Sequence, residues 1–81
     1  MAQLVVRYFA SARAAAGVAE ESYEADSVDE ALAQIVSRHG ERLSAILKAS
    51  SLLLNGARVG DRSMPVPDAA ELEVLPPFAG G

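Results

Sequence analysis

One helix is delimited clearly in the sequence, and it constrains the fold more than any other stretch. Ser27 and Glu30 stand three residues apart at its start, in the Ser-x-x-Glu pattern whose side chains satisfy free backbone N–H groups. Gly40 follows the last turn, at the position where glycine commonly ends a helix. The apolar residues between them recur at helical spacing on one stripe, namely Val28, Ala31, Leu32, Ile35 and Val36. The pattern predicts an amphipathic helix over residues 27–39 with one face buried against another layer.

Two strands joined by a short helix are predicted before this helix. Residues 3–10 alternate, with Leu4, Val6 and Tyr8 on one face and Val5, Arg7 and Phe9 on the other. An alanine-rich segment at residues 11–16 predicts a short helix that Ser11 caps and Gly17 ends. Residues 18–25 predict a second strand. Because the connection is only about seven residues long, we expect an antiparallel hairpin rather than a parallel crossover.

More strands are predicted after the helix. The segments are a shorter helix at residues 41–49, a strand at 51–54, a turn at Asn55-Gly56, a returning strand at 57–59, a turn-rich crossing at 60–67 with Met64 and Val66 facing inward, and a last strand at 71–75. In the last strand Leu72 and Val74 face inward and Leu75 faces outward. We therefore predict an α+β roll with one sheet and one main helix packed across one face. The pattern permits a mixed sheet in which the first and last strands pair in the middle.

The chain as given closes with two prolines and two glycines. Pro76 and Pro77 cannot donate to a sheet ladder, so the last strand ends there, and a Pro-Pro pair favours an extended conformation. The residues after them are Phe78, Ala79, Gly80 and Gly81. Glycines without side chains can enter a narrow channel and present the terminal carboxylate to a partner, although many chain ends are simply frayed. We divide the chain into a domain at 1–75 and a flexible tail at 76–81.

Composition excludes several classes of function. The chain has 81 residues, of which 51% are hydrophobic, enough for the core of one small domain. It has no cysteine, which excludes disulfides, thiol nucleophiles and thiolate metal sites and suits a reducing cytoplasm. A net charge of −4 disfavours a nucleic-acid surface and favours a partner with a basic patch. No apolar run approaches the roughly 20 residues of a membrane span.

The sequence predicts no active site of the chain's own. His39, the one histidine, falls in the last turn of the predicted helix and is expected to cap its end. No other ligands match it at metal-site spacing. Glu20 and Glu21 are expected to be a solvated strand end. The remaining reactive group is the carboxylate of Gly81, which is inert until a partner activates it.

A docking surface is predicted on the open face of the sheet. If the first and last strands pair, Phe9 and Leu75 lie side by side there, and exposed apolar clusters rimmed by charge commonly mark interaction sites. The residues expected to extend and rim the patch are Val5, Val59, Arg7, Arg58 and Arg62. The alternative is that the loop at residues 60–67 covers part of this surface.

Four stretches carry a family resemblance that spans essentially the whole chain. They are Val6-Arg7-Tyr8-Phe9-Ala10 with its short helix, the helix start at residues 27–32, Leu54-Asn55-Gly56, and residues 72–81 with their Pro-Pro-x-x-Gly-Gly ending. The ending is the most specific of the four. With these stretches the chain resembles the MoaD/ThiS family of sulfur carriers, and within it the MoaD type, the small subunit of molybdopterin synthase. The resemblance implies the β-grasp, or ubiquitin-like, fold.

The resemblance also implies a chemistry and a set of partners. An E1-like adenylyltransferase (MoeB-like) would adenylate Gly81 with ATP and magnesium, and a sulfur-donating enzyme would convert it to a thiocarboxylate. The large subunit (MoaE-like) would bind the tail and pass the sulfur to cyclic pyranopterin monophosphate, precursor Z. The two subunits would form a heterotetramer. The tail that inserts would comprise Pro76, Pro77, Phe78, Ala79 and Gly80. The carrier would bind no cofactor, nucleic acid or membrane itself.

The match to the family departs at two positions, and other readings stay open. Leu75 replaces an aromatic residue often found just before Pro-Pro, and Phe78 fills a position that is often aliphatic. One alternative is a carrier of the same fold that serves thiazole, cysteine or tungsten-cofactor synthesis. Another is a non-catalytic interaction module whose tail is never activated, and a last one is ubiquitin-type conjugation to lysines.

Overall fold

Five strands form one mixed sheet in the computed structural model, which describes residues 2–77. The elements in chain order are β1 (Gln3–Tyr8), α1 (Ala10–Ala16), β2 (Glu20–Glu24), α2 (Val28–His39), α3 (Glu41–Ala49), β3 (Ser51–Leu54), β4 (Ala57–Arg58) and β5 (Ala70–Leu75). The strand order is β2-β1-β5-β3-β4. The first and last strands pair in parallel at the centre, and the other pairs are antiparallel. The predicted α+β class and central pairing are confirmed.

The core lies between the helices and one face of the sheet. Alternate strand residues point into it, because successive side chains of a strand lie on opposite faces. The buried strand residues include Leu4, Val6, Tyr8, Leu52, Leu54, Leu72 and Val74. All three helices contribute to the same cluster, with Ala12 from α1, Ile35 from α2 and Leu43 from α3 among its members. Besides the predicted main helix, two shorter helices therefore cover the sheet.

The helix that the sequence delimits most clearly forms as predicted. Ser27 is the N-cap of α2, and its hydroxyl accepts the N–H of Glu30 at 3.1 Å. The carboxylate of Glu30 accepts the N–H of Asp26 at 3.3 Å, one residue before the cap. Gly40 ends the helix with φ at 92°, a conformation that glycine adopts without steric cost. Local sequence chemistry thus fixes both ends of this helix.

The crossing between β4 and β5 covers the start of α2. The N–H groups of Val28 and Asp29 donate to the carbonyls of Met64 and Arg62, at 3.1 and 2.7 Å. Val66 is buried in the core, and Met64 packs against it half-buried, as predicted. The crossing therefore satisfies free donors at a helix start and lies on the helical side of the sheet, away from the open face.

Some predicted boundaries shift. The first strand ends at Tyr8 rather than residue 10, and α1 begins at Ala10 with Phe9 as its N-cap. The prediction that Ser11 caps this helix is wrong, because Ser11 lies inside it. The carbonyl of Phe9 already accepts the N–H groups of Ala12 and Arg13, at 3.0 and 3.3 Å. The chain thus turns directly from strand into helix at Phe9.

Candidate docking face

Two predicted docking residues are adjacent at the ends of the two central strands. Because β1 and β5 run in parallel with Tyr8 opposite Val74, the next residues, Phe9 and Leu75, lie side by side. The N–H of Phe9 donates to the carbonyl of Val74 at 3.2 Å and continues the ladder one residue beyond β1. Phe9 is 38% exposed, among the few large apolar side chains of residues 2–77 that lie open to solvent. An aromatic and a leucine are thus adjacent where β5 ends.

We call the side of the sheet away from the helices the open face. Its described residues are Gln3, Val5, Arg7, Glu20, Ser22, Glu24, Ser51, Leu53, Arg58, Glu71, Glu73 and Leu75, with Phe9 just beyond the end of β1. Val5 and Leu75 are half-buried by their neighbours and lie outside the core cluster. Leu53 is also half-buried and outside the core cluster, although it was not predicted at this surface. Its position between two buried leucines in a four-residue strand gave the signal, but the uninterrupted apolar run concealed the alternation.

Two other residues predicted at this surface lie elsewhere. Val59 follows Arg58 and packs half-buried against the core, so it lies on the opposite face. Arg62 is not at the rim of the patch: its guanidinium donates to the carbonyls of Leu47 and Ser50, at 3.1 and 2.9 Å. It satisfies backbone oxygens at the end of α3, which would otherwise lack partners.

Arg7 lies on the open face and is already engaged there. Its guanidinium pairs with the carboxylates of Glu20 and Glu71, at 3.3 and 3.4 Å. All three side chains are about half exposed, so each pair contributes only about 0–1 kcal/mol to stability. The two pairs hold the Arg7 side chain across β2, β1 and β5 and leave the apolar residues beside it uncovered.

The base of the predicted tail leaves from the middle of the sheet. Leu75 ends β5, which is hydrogen-bonded to β1 on one side and β3 on the other. Pro76 follows half-buried and Pro77 exposed. The predicted roles of Phe78, Ala79, Gly80 and Gly81 lie outside the described residues. The chain therefore leaves the sheet beside Phe9 and Leu75.

A polar cluster lies on the helical side of the sheet, where α2 packs against the edge strand β2. One oxygen of Glu21, Oε1, accepts hydrogen bonds from the hydroxyls of Tyr8 and Tyr23 at 2.8 and 2.9 Å, and lies 2.6 Å from Nε2 of His39. Arg38 reaches the second oxygen at 3.2 Å. The prediction of a solvated Glu21 is wrong, because its side chain is only 13% exposed. His39 lies in the last turn of α2 as predicted, but the expectation that it caps the helix end is wrong, because its ring nitrogen contacts Glu21.

The ionisation states of this cluster follow from burial and hydrogen bonding. Burial, followed by its bond to Glu21, raises the pKa of Tyr8 far above its usual value, and burial also raises the pKa of Tyr23. Burial alone would raise the pKa of Glu21, but the hydrogen bonds from His39, Tyr8 and Tyr23 outweigh it and hold that pKa below its usual value. An ionised carboxylate only accepts, so Nε2 of His39 carries the hydrogen. The cluster is suited to holding structure rather than to proton transfer.

Two other kinds of feature are absent from the described part of the chain. Residues 2–77 contain no group of three histidine or carboxylate side chains arranged to hold a metal ion. Among the same residues, no helix is both long and apolar enough to cross a membrane.

Comparisons with known proteins agree on one group of relatives. The model of the ThiS family matches residues 6–81. The molybdopterin synthase sulfur carrier subunit of Chlamydomonas reinhardtii is 32% identical, with the alignment covering 98% of this chain and 99% of that protein. These matches extend through the central strands and the chain end, so they include every element of the open face.

Solved structures with the same fold include a protein described as subunit 1 of a molybdopterin converting factor from Pyrococcus furiosus. It superposes with a TM-score of 0.83 at 26% identity, covering 96% of this chain and 100% of that one. Small archaeal modifier protein 1 of Methanosarcina acetivorans superposes at 0.86 and 23% identity, covering 100% and 98%. A Helicobacter pylori complex of subunits 1 and 2 of a molybdopterin-converting factor gives 0.71 at 24%, covering 98% and 99%. At these low identities, the last two structures show only that the β-grasp fold is shared.

Proposed function

Because this chain belongs to the ThiS family, we propose that it is the sulfur carrier subunit of a molybdopterin synthase. The observation that carries the proposal is the 32% identity to a carrier subunit of that enzyme over 98% of the chain. The position of the tail supports it, since β5 ends beside an exposed aromatic residue on an uncovered sheet face. The carrier works in the cytoplasm and acts by delivering a group, without an active site of its own.

The first two steps convert the carboxylate of Gly81 to a thiocarboxylate. A carboxylate oxygen attacks the α-phosphorus of ATP on an E1-like adenylyltransferase, which holds the magnesium, and pyrophosphate leaves as the acyl adenylate forms. A sulfur nucleophile at the oxidation level of hydrosulfide, brought by a sulfur-donating enzyme, then attacks the acyl carbon. AMP leaves, and one oxygen has been replaced by one sulfur. The absence of a side chain at Gly81 allows both enzymes to close around the backbone.

The remaining steps take place in the large subunit. The tail formed by residues 76–81 enters its active site. The thiocarboxylate sulfur attacks an oxygen-bearing side-chain carbon of cyclic pyranopterin monophosphate, and the carbon–oxygen bond there breaks, so that the oxygen leaves as water or with the phosphate. Water then cleaves the bond between the acyl carbon and sulfur, which restores the Gly81 carboxylate and leaves sulfur on the acceptor. Two such deliveries supply the two sulfurs of the dithiolene. Two small and two large subunits form the synthase.

The open face holds the carrier on its partners during these steps. Phe9 and Leu75 form the anchor nearest the tail, and Val5 and Leu53 extend it across three strands. Truncating a central aromatic anchor commonly costs about 2 kcal/mol of binding free energy or more. Anchoring close to the base of the tail limits the positions that Gly81 can reach and so favours its entry into the active site.

Intact mass measurement tests this function. The chain is incubated with ATP, magnesium, an E1-like enzyme and sulfide, and we expect a mass gain equal to the exchange of one oxygen for one sulfur. The matched control is the chain without Gly81, which should gain nothing. A further incubation with the large subunit and cyclic pyranopterin monophosphate should return the original mass and yield molybdopterin. If no gain occurs with a competent enzyme, the chain is a passive interaction module.

The same experiment separates the other readings. A thiocarboxylate that forms but is not consumed by the large subunit and its pterin would assign the carrier to thiazole, cysteine or tungsten-cofactor synthesis. Products heavier by whole protein chains, joined through an amide to lysine, would indicate conjugation instead. The likeness to the archaeal modifier protein concerns the fold, which all of these readings share.

A further inference from the structure

One row of open-face residues crosses all five strands. In the register of the sheet, Glu20 of β2 lies opposite Arg7 of β1, and Arg7 lies opposite Glu73 of β5. On the other side of β5, Glu73 lies opposite Leu53 of β3, and Leu53 lies opposite Arg58 of β4. The row runs next to Phe9 and Leu75, because those two residues come two positions later on the same strands. We call it the charge row.

The two halves of the charge row differ in how their charges are paired. Arg7 is engaged by Glu20 and Glu71 and not by Glu73, its direct neighbour across the strands. Within residues 2–77, neither Glu73 nor Arg58 makes an ion pair or a side-chain hydrogen bond. Leu53 separates them by two strand spacings, about 10 Å, which is beyond the reach of an ion pair. A negative and a positive group thus flank one leucine, each without a partner.

A partner that covers the open face around Leu53 would take water away from the charges beside that leucine. Glu73 is already half-buried between its neighbours, so a protein that docks on Leu53 and Leu75 would remove most of its remaining water. A charge that loses its water without a counter-charge is strongly destabilising, whereas a paired one is tolerated. We therefore expect a partner that binds here to place a cation over Glu73 and, where it also covers the edge strand β4, an anion over exposed Arg58. The fixed order and spacing of the two charges also disfavour partners with the opposite order.

We propose that Glu73 and Arg58 are specificity determinants for docking on the synthase large subunit. The large subunit presents an arginine or lysine to Glu73 and a carboxylate to Arg58, on either side of an apolar side chain that contacts Leu53. The proposal rests on the proposed function, because it takes the large subunit as the occupant of the open face. The net charge of −4 fits a partner that is basic around the contact with Glu73.

Charge exchange tests the proposal. Binding of the large subunit is measured by calorimetry for the wild-type chain, E73R, R58E and the double variant E73R/R58E, which keeps the net charge unchanged. We expect each single variant to weaken binding by roughly 30-fold or more, because a like charge then faces the partner. The double variant should bind more weakly than either single one. If the double variant binds like wild type, the two residues pair with each other and the proposal fails.

Matched controls address folding and general electrostatics. E24R reverses a glutamate charge, as E73R does, at the far end of the open face. R42E reverses an arginine charge, as R58E does, at an exposed position of α3. Both variants should bind like wild type. E73Q removes the charge and keeps the shape of the side chain, whereas R58Q removes the charge and shortens the side chain; each should weaken binding about tenfold, with a smaller dependence on salt. Wild-type affinity in all variants at Glu73 and Arg58 would overturn the proposal.

The outcomes for the inference and for the function are distinguishable. Thiocarboxylate formation at Gly81 is measured in the same preparations and does not depend on the large subunit. If the wild-type chain forms a thiocarboxylate and binds the large subunit while the charge variants bind equally well, only the role of the charge row is lost. If the wild-type chain neither binds the large subunit nor forms a thiocarboxylate, the proposed function and this inference fail together.

Discussion

Nε2 of His39 lies 2.6 Å from Oε1 of Glu21, and this contact joins the end of α2 to the edge strand β2. The same oxygen accepts the hydroxyls of Tyr8 and Tyr23, so one carboxylate connects β1, β2 and α2. The His39 and Tyr8 rings pack edge to face, with centroids 6.1 Å apart. β2 has a sheet neighbour on only one side, and this cluster attaches it to the helical layer together with the bond from Nε2 of Gln34 to the carbonyl of Glu24.

Replacing this carboxylate should destabilise the domain. We expect Glu21→Gln to lower the free energy of unfolding by about 1–3 kcal/mol, since a buried charged acceptor of several hydrogen bonds is lost. The pKa of Glu21 is lower in the folded chain, so its contribution is present above the ordinary value of about 4.3 and is lost as the pH falls. Urea unfolding at neutral and acid pH checks this. Glu24→Gln, on the same strand but exposed, is the control, and equal stability of the two variants would contradict the prediction.

Alkaline titration should reveal the same cluster through its tyrosines. Tyr8 and Tyr23 are the two tyrosines of the chain, and both have raised pKa values when folded. Their contribution to stability is complete below the ordinary pKa of about 10 and is lost as the pH rises through the folded values. We expect tyrosinate absorbance to appear together with unfolding. Tyrosinate that forms near pH 10 in a chain whose circular dichroism is still native would show that the hydroxyls are not held.

Truncating the aromatic anchor should affect binding and spare the fold. We expect Phe9→Ala to weaken binding of the large subunit by about 2 kcal/mol, because Phe9 lies open beside the base of the tail. Its thermal unfolding should change little, since the side chain is 38% exposed. Val18→Ala removes another apolar side chain, 42% exposed, and serves as the control. Calorimetry measures both variants, and equal affinity would place the anchor elsewhere.

Removing the guanidinium of Arg62 should destabilise the fold and leave binding of the large subunit unchanged. We expect Arg62→Ala to destabilise the domain by about 1–3 kcal/mol, since the carbonyls of Leu47 and Ser50 lose their partner at the end of α3. Affinity for the large subunit, measured under conditions where the variant is folded, should not change. Arg42→Ala, an exposed residue on the same helix, is the control for loss of charge. A variant with normal stability and weaker binding would return Arg62 to the rim of the docking surface.

The elements that the sequence predicted well are those with local causes. The ends of α2 follow from Ser27 and Gly40, and the turn between β3 and β4 follows from Asn55-Gly56, whose residues both have positive φ, at 50° and 82°. The central pairing of β1 and β5 was predicted from their alternation and from the family resemblance. The helix ends and the turn depend on residues a few positions apart, whereas the pairing of β1 with β5 joins distant residues and was expected mainly from the resemblance.

The features that were missed depend on residues distant in the sequence. Glu21 and His39 are 18 positions apart and meet only because α2 returns along β2. Arg62 reaches the end of α3 across 12 and 15 positions. Leu53 could be assigned to the open face only through its register with Glu73. A charged residue that bonds buried groups and one that faces water have the same local sequence signal, so the fold must be known first.

The central position of β5 also determines how the domain responds to pulling on its tail. Force applied at Pro76 enters β5 along its length and is shared by the hydrogen bonds to β1 and β3 at once. These bonds are loaded in shear, so they must break together rather than one after another, as at an edge strand peeled from a sheet. A partner that pulled on the end of β5 would therefore meet a mechanically rigid base.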